Sequence, residues 1–463
     1  MTPFNRLQDA HVQKLKTIVA PDRVSTGSSV LNLHARDMSH HPACSPEAVV
    51  WPTSAGEVAD ILRFANENLI PIVGWGAGSS LEGNPIPVKK GIVLDFTSMN
   101  RILDIRTEDF QVDVEPGVIY QDLNQQLKDT GLFFPPDPGA RATLGGMIAN
   151  NASGTRTVYY GSTKDYVLQL TTVLASGETI KLGARVAKSS SGYNLLNLFV
   201  GSEGTLGIVV KATLRLAGLP ETFSAAVMTF PTVNAAARAV FDIKRYGLNP
   251  AALELLGPEC VELLNRRKGL GLEVSPTLFV EFHGPSLAYL SEIIEMAQSI
   301  CEDDGCSTFR SGLGVEERNR IFEARHELGE IIMTEHPDCD ILIMDVAVPI
   351  TAFEGIFDET YARIQEAGIK GYAFSHAGDG NLHINLTGRK GHAKDWELIH
   401  GISESIVASA IAAGGTATGE HGVGIGKQKF MEKEHGSSMQ WMKKIKTLLD
   451  PNGILNPGKI FPE

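Results

Sequence analysis

The sequence predicts an α+β protein of more than one domain, and three observations carry that reading. Helix-periodic and strand-like stretches alternate along almost the whole chain. Three glycine-rich clusters, at 71–83, 143–154 and 199–209, interrupt the N-terminal half next to strand-like runs. The character then changes near Leu216–Pro220, and from Phe223 to about Ala413 strands and helices alternate without glycine loops, as an α+β second domain would. With 463 residues there is room for roughly two to four domains. A composition 43% apolar and 21% charged is that of a soluble globular protein. The net charge of −13 argues against nucleic acid or an anionic membrane surface as the main partner, though a small anionic substrate responds only to local charge. No signal-peptide core and no bilayer-length apolar run is visible, so a cytoplasmic protein is expected. The five cysteines are scattered, and they read as idle thiols.

Taken in order, residues 8 to 20 read as a helix, followed by a polar link to about residue 45. Ser54 and Glu57 have capping-box spacing for a helix carrying Val58, Ile61, Leu62, Phe64 and Ala65 and ending near Asn68. The strand Leu69–Val73 delivers the chain into Pro71–Gly83, PIVGWGAGSSLEG. Its bare backbone N–H groups suit a diphosphate. As a bare motif the loop reads equally well as an ordinary glycine turn, and two functional readings compete with that. It nearly fits the dinucleotide fingerprint, with Asp95 placed where a ribose-binding acid would sit. Against that, Ser79 replaces the third glycine, and Pro85 and Pro87 forbid a helix, so a loop held between strands is expected. Strands are expected at Ile92–Asp95, Ile102–Ile105 and Phe110–Val114, then a helix over Ile119–Thr130.

Rigid Phe133–Pro138 leads into Thr143–Gly154, TLGGMIANNASG, read as a small, flexible run suited to lining a flat ring at close range. Tyr166–Ala175 is a strand, and Phe199–Val209 is the third glycine cluster. Three such clusters separated by βα material suggest one extended cofactor. In the second half, strands are expected at Ala225–Phe230, Thr277–Phe282, Ile341–Val348 and Tyr372–Phe374. Helices are expected at Asn234–Lys244, Leu287–Cys301, Ala352–Glu366 and Asp395–Ala413, and the tail at Met442–Leu449.

The sharpest chemistry lies in His376-Ala377-Gly378-Asp379-Gly380-Asn381-Leu382-His383. Residues seven apart face opposite ways on a straight strand, but the Gly378–Asn381 segment is turn chemistry and lets both imidazoles converge. Glu420-His421, in a further glycine-rich run, completes a half-open zinc-type set: His376, His383 and Glu420 as ligands. His421 is left for proton transfer, since imidazole titrates nearest neutral pH. A hydrogen-bonded core histidine pair is the plain alternative. Arg325 reads either as a bidentate clamp for a substrate carboxylate or as a solvated helical arginine, and His326 as a surface residue. Asp345 interrupts an apolar strand, either supporting the site or marking a strand end.

These segments, with GEHGVG and the terminal NPGK, occur in the order seen in flavin-dependent D-2-hydroxyacid dehydrogenases, and the chain resembles them from about residue 40 to its end. They form part of the vanillyl-alcohol oxidase/p-cresol methylhydroxylase family, and include D-lactate dehydrogenase and the flavin subunit of glycolate oxidase. The resemblance implies a two-subdomain FAD-binding domain with an α+β cap. Residues 1–40 would be an N-terminal helix and link, 41–218 the FAD-binding domain, 219–415 the cap and 416–463 a segment returning to the flavin. Carried over by motif, Gly76, Ala77, Gly78, Ser79 and Ser80 would hold the diphosphate. Pro136, Asp137, Thr143, Gly146, Asn150, Ser153 and Gly154 would line the flavin and its chain. Glu203, Gly204 and Ile208 would meet the adenosine side, with Asn456 near the isoalloxazine. His376, His383 and Glu420 match metal ligands for Zn²⁺ or Mn²⁺, His421 the catalytic histidine and Arg325 a carboxylate anchor. Trp75–Gly83 contains no histidine, so FAD would be non-covalent.

The expected reaction is oxidation of a small D-2-hydroxy acid, D-lactate first, with hydride transfer to flavin N5 and His421 as base. Expected partners are the substrate and an electron acceptor (a quinone, a cytochrome or an iron–sulfur protein), through which alone the protein would approach a membrane. A homodimer is compatible with the sequence. Two rival readings stay open: a metal hydrolase using the His/Glu cluster, and a subunit that relays electrons within a complex.

Overall fold

The computed structural model describes residues 4–462; the side chain of His326 lies outside the described residues. The chain divides into two units. Among the described residues the first comprises those up to 153, 162–219 and those from 420 on, and the second 154–161 and 220–419. The N-terminal helix therefore belongs to the first unit. Residues 416–419, expected with the C-terminal segment, group with the second.

In the first unit, Ala48–Val50, Ile92–Asp95 and Ile72–Trp75 form a parallel trio, extended antiparallel by Val24–Ser25. Its strands are buried throughout or nearly so, as parallel strands covered on both faces require. The helix Ala55–Glu67 packs against it through Val58, Ile61, Leu62 and Ala65. Burying each of these larger side chains is worth about 1.5–3 kcal/mol. Ser54 caps that helix by accepting from Glu57 N, but the reciprocal half of the expected box is absent. The Glu57 carboxylate instead accepts from Thr53 N and from Arg23. Five antiparallel strands make a second sheet, in the order Ile102–Arg106, Gln111–Val114, Ile208–Arg215, Val167–Val173, Thr179–Gly183.

Two expectations in this unit are corrected. Leu144–Asn150 is a helix, not a flexible run, capped where the Thr143 hydroxyl accepts from Gly146 N. The segment read as a polar link holds a helix, Ser28–Leu33, and its Asp37 carboxylate accepts from Gly83 N. Between Trp75 and Ile92 there is no helix, as the prolines require.

The second unit is one seven-stranded antiparallel sheet. Its order is Thr308–Leu313, Thr222–Thr229, Thr277–Gly284, Ala252–Leu256, Lys370–His376, Asn381–Arg389, Cys339–Ala347. The expected helices are present as Val233–Arg245, Leu287–Asp303, Ile350–Ala367 and Ala393–Ala412. Two more, Pro258–Lys268 and Val315–Glu335, accompany them. The second packs on one face of the sheet through Phe322, Ala324, Leu328, Ile331 and Ile332.

Candidate functional site

The first unit contains a cleft enclosing about 1330 Å³ of open space. All three glycine clusters and the C-terminal return contribute to its wall. Gly76, Ala77, Gly78, Ser79 and Ser80 line it, as do Thr143, Gly146, Asn150 and Ser153. So do Glu203, Gly204, Ile208, Glu420, His421 and Asn456. The glycine loop is bare for a steric reason. A Cβ on Gly76 would lie 2.2 Å from the Thr143 hydroxyl, and Gly78, at φ +67°, lies against the Trp75 ring. Among the described residues the backbone N–H groups of Ala77, Gly78, Ser79 and Ser80 have no acceptor. Four donors in a row beside open space suit an anionic, extended ligand such as the diphosphate of FAD.

Three predicted residues stand elsewhere. Pro136 is buried and is not on the cleft wall, where Pro138, Ala140 and Ala142 stand instead. The Asp137 carboxylate accepts from the Tyr120 hydroxyl at 2.5 Å and from Gly139 N, so it shapes the turn. Gly154 belongs to the short segment that groups with the second unit. Asp95, the acid a dinucleotide fingerprint would assign to ribose, is 5% exposed and already engaged. His34 Nε2 lies 3.0 Å from it, Trp51 Nε1 donates at 2.8 Å and Thr97 N at 2.9 Å. The fingerprint reading is thereby excluded.

His421 sits on a loop held from several sides. The side-chain amides of Asn84 and Asn150 both lie 3.5 Å from its carbonyl oxygen. The Glu203 carboxylate accepts from Val423 N at 2.7 Å, Gly424 N at 2.9 Å and Asn84 Nδ2 at 2.8 Å. Burial pushes that carboxyl up in pKa, and these donors oppose the rise. Glu203, expected on the adenosine side and present on the cleft wall, thus also clamps the His421 loop. Asn456 donates to the carbonyls of Asn84 and Glu203, and Lys459 Nζ lies 3.3 Å from the Asn456 side-chain oxygen. Burial brings Lys459 down to about 8. Ser153 Oγ donates to Glu420 at 2.8 Å.

In the second unit His376 ends one strand and His383 lies in the next, joined by a tight turn with Gly380 at φ +69°. The register pairs Phe374 with His383 and His376 with Asn381, so the two imidazoles are diagonal neighbours on one face. Their ring centroids are 4.9 Å apart and nearly perpendicular. The turn therefore converts a seven-residue spacing into a pair. Behind His376 stands Glu254, whose Oε1 lies 2.7 Å from Nδ1 and whose Oε2 accepts from Arg325 Nη2 at 2.5 Å. Behind His383, across the strand pair, stands Asp345, which accepts from Asn381 Nδ2 at 2.6 Å and Thr418 Oγ at 3.0 Å. Arg325 is buried rather than solvated, with its guanidinium over the Phe374 ring. Glu254 escaped the sequence reading: its strand, ALELL, has no alternation, and His376 lies 122 residues further on.

A cradle for an extended anionic cofactor, with the pinned loop of His421 at its wall, defines the class. Residues 46–183 match the family described as "FAD binding domain", and 219–460 match "FAD linked oxidases, C-terminal domain". The chain belongs to the FAD-linked oxidases and is an FAD-dependent oxidoreductase. Its fold is also that of p-cresol methylhydroxylase, with a TM-score of 0.78 at 16% identity over 97% of this chain and 96% of that one. In sequence it is 40% identical to the probable mitochondrial D-lactate dehydrogenase of Danio rerio, covering 97% of this chain and 91% of the relative. It is 34% identical to glycolate oxidase subunit GlcD of Bacillus subtilis, covering 97% and 96%. Among the described residues no helix is long and apolar enough to cross a membrane.

Proposed function

We propose that this FAD-linked oxidase converts a D-2-hydroxy acid, D-lactate first, to its 2-oxo acid. The observation that carries the reading is the loop of His421, held by Asn84, Asn150 and Glu203 beside a cleft whose backbone donors at 77–80 have no acceptor among the described residues. The names of the relatives support the substrate class. When bound, non-covalent FAD supplies the two-electron acceptor for the hydrogen leaving the substrate's α-carbon. Residues 76–80 hold its diphosphate through backbone N–H groups, and Thr143, Gly146, Asn150, Ser153 and Asn456 line its ring and chain. His421 takes the hydroxyl proton on an imidazole nitrogen. Arg325 binds the substrate carboxylate: its Nε–H is buried and has no acceptor among the described residues. The donor set of two converging imidazoles suits a divalent cation, and His376, His383 and Glu420 are the ligands we assign to Zn²⁺ or Mn²⁺. Held there, such an ion would supply Lewis acidity to the substrate hydroxyl.

The test is a panel of hydroxy acids, in both enantiomers, with flavin bleaching followed anaerobically in the isolated chain. Rapid bleaching by D-lactate and none by L-lactate supports the proposal, and no bleaching by any D-2-hydroxy acid sinks it. The 34% identity to a glycolate oxidase subunit favours one second reading, a chain that relays electrons to a quinone, cytochrome or iron–sulfur partner. Flavin reduced only in the presence of partner subunits would select it.

A further inference from the structure

The helix Val315–Glu335 carries two arginines seven residues apart, Arg318 and Arg325, hence on one face. Each meets a carboxylate on the sheet, and each carboxylate also meets an imidazole. Arg318 donates to Glu281 at 2.8 and 3.2 Å, and Glu281 contacts His283. Arg325 donates to Glu254, which contacts His376. The two relays differ in what the imidazole does next. Nδ1 of His283 is 2.7 Å from the Tyr160 hydroxyl, so that relay closes inside the protein. In the other, Glu254 engages Nδ1 of His376, and the same ring faces His383.

We propose that Glu254 is a positioning residue that fixes the metal-binding tautomer of His376 and, through its second oxygen, orients Arg325 toward the substrate carboxylate. An Nδ1–H donated to a carboxylate locks the ring's tautomer and angle. Glu254 is fully buried, and its two oxygens are engaged by these two groups. One carboxylate therefore couples metal affinity to substrate affinity. The inference rests on His376 being a metal ligand.

The experiment titrates Mn²⁺ into demetallated, FAD-loaded protein, with free Mn²⁺ read by electron paramagnetic resonance. Glu254→Gln is expected to weaken Mn²⁺ binding about 10–100-fold and to raise KM for D-lactate at saturating metal. Glu281→Gln, the matching change in the closed relay, is expected to stay within about threefold of wild type. Wild-type Mn²⁺ affinity in Glu254→Gln overturns the proposal, as does equal weakening in both variants. Should Glu254→Gln not fold, Glu254→Asp keeps the buried charge at shorter reach. Reduced affinity there with FAD content unchanged supports the role, and wild-type affinity overturns it. If wild-type protein binds neither Mn²⁺ nor Zn²⁺, the ligand assignment itself fails, a result distinct from the others.

Discussion

Glu281 gives a stability prediction whose size follows from its surroundings. It is 1% exposed, accepts from Arg318 twice, contacts His283, and has Arg156 3.9 Å away. Burial alone pushes its carboxyl up, but His283, Arg156 and Arg318 together outweigh burial and bring it from 4.5 down to about 2. A gap of about 2.5 units between unfolded and folded chains corresponds to about 3 kcal/mol. Because the folded value is the depressed one, this contribution is complete above pH 4.5 and is lost as pH falls through the folded value. His283 is held below its usual range chiefly by burial, so protonation of the unfolded chain below about pH 6.5 erodes stability in the same direction. Glu281→Gln removes the carboxylate's part. Urea unfolding of both proteins across the acid range, read by hydrogen exchange in Thr277–Gly284, is the assay. The expected difference is about 3 kcal/mol near neutrality, shrinking to under about 1 kcal/mol by about pH 2.5. A difference that is small at neutrality, or that stays constant down to that pH, refutes the linkage.

Other outcomes follow from the cleft. Gly76→Ala puts a methyl group into the Thr143 hydroxyl, and FAD retention, read as the ratio of flavin to protein absorbance, is expected to fall at least tenfold. Glu203→Gln turns an acceptor of Val423 N and Gly424 N into a donor on one side, at a cost of about 1–3 kcal/mol. Turnover is expected to drop while bound flavin persists, and an unchanged kcat would remove the clamp role. His421→Ala is expected to stay yellow but not to bleach with D-lactate; near-normal flavin reduction would dismiss His421 as base. Chelation is expected to suppress activity, with Zn²⁺ or Mn²⁺ restoring it, and full rate after exhaustive demetallation would contradict the ligand set.

The backbone punctuation of this chain is readable because glycine and proline act locally. Pro85 and Pro87 forecast the helix-free loop, and Gly378–Asn381 forecast the turn that pairs His376 with His383. Where local signals mislead, tertiary contact has overridden them. Two adjacent glycines in Leu144–Asn150 each cost a helix about 1 kcal/mol, so the stretch reads as loop. Yet Gly145 is needed there, because a Cβ would meet Pro116 at 2.6 Å. Asp37 looked like linker, and its bond to Gly83 spans 46 residues. Glu203 sat in a recognisable motif, but its partners at 423 and 424 are more than two hundred residues away, so the job of its carboxylate was invisible.

The last stretch of the chain is stitched into its first sheet. Leu455 bridges to Ile72, Asn456 N donates to Ile72 O, and Lys446 Nζ spans Thr205 O and Leu455 O. During synthesis the glycine clusters thus leave the ribosome more than two hundred residues before the segment that bridges to their sheet. The cradle's wall is complete only with Asn456 in place, so a variant cut before that residue is expected to hold less flavin and look paler than the intact chain.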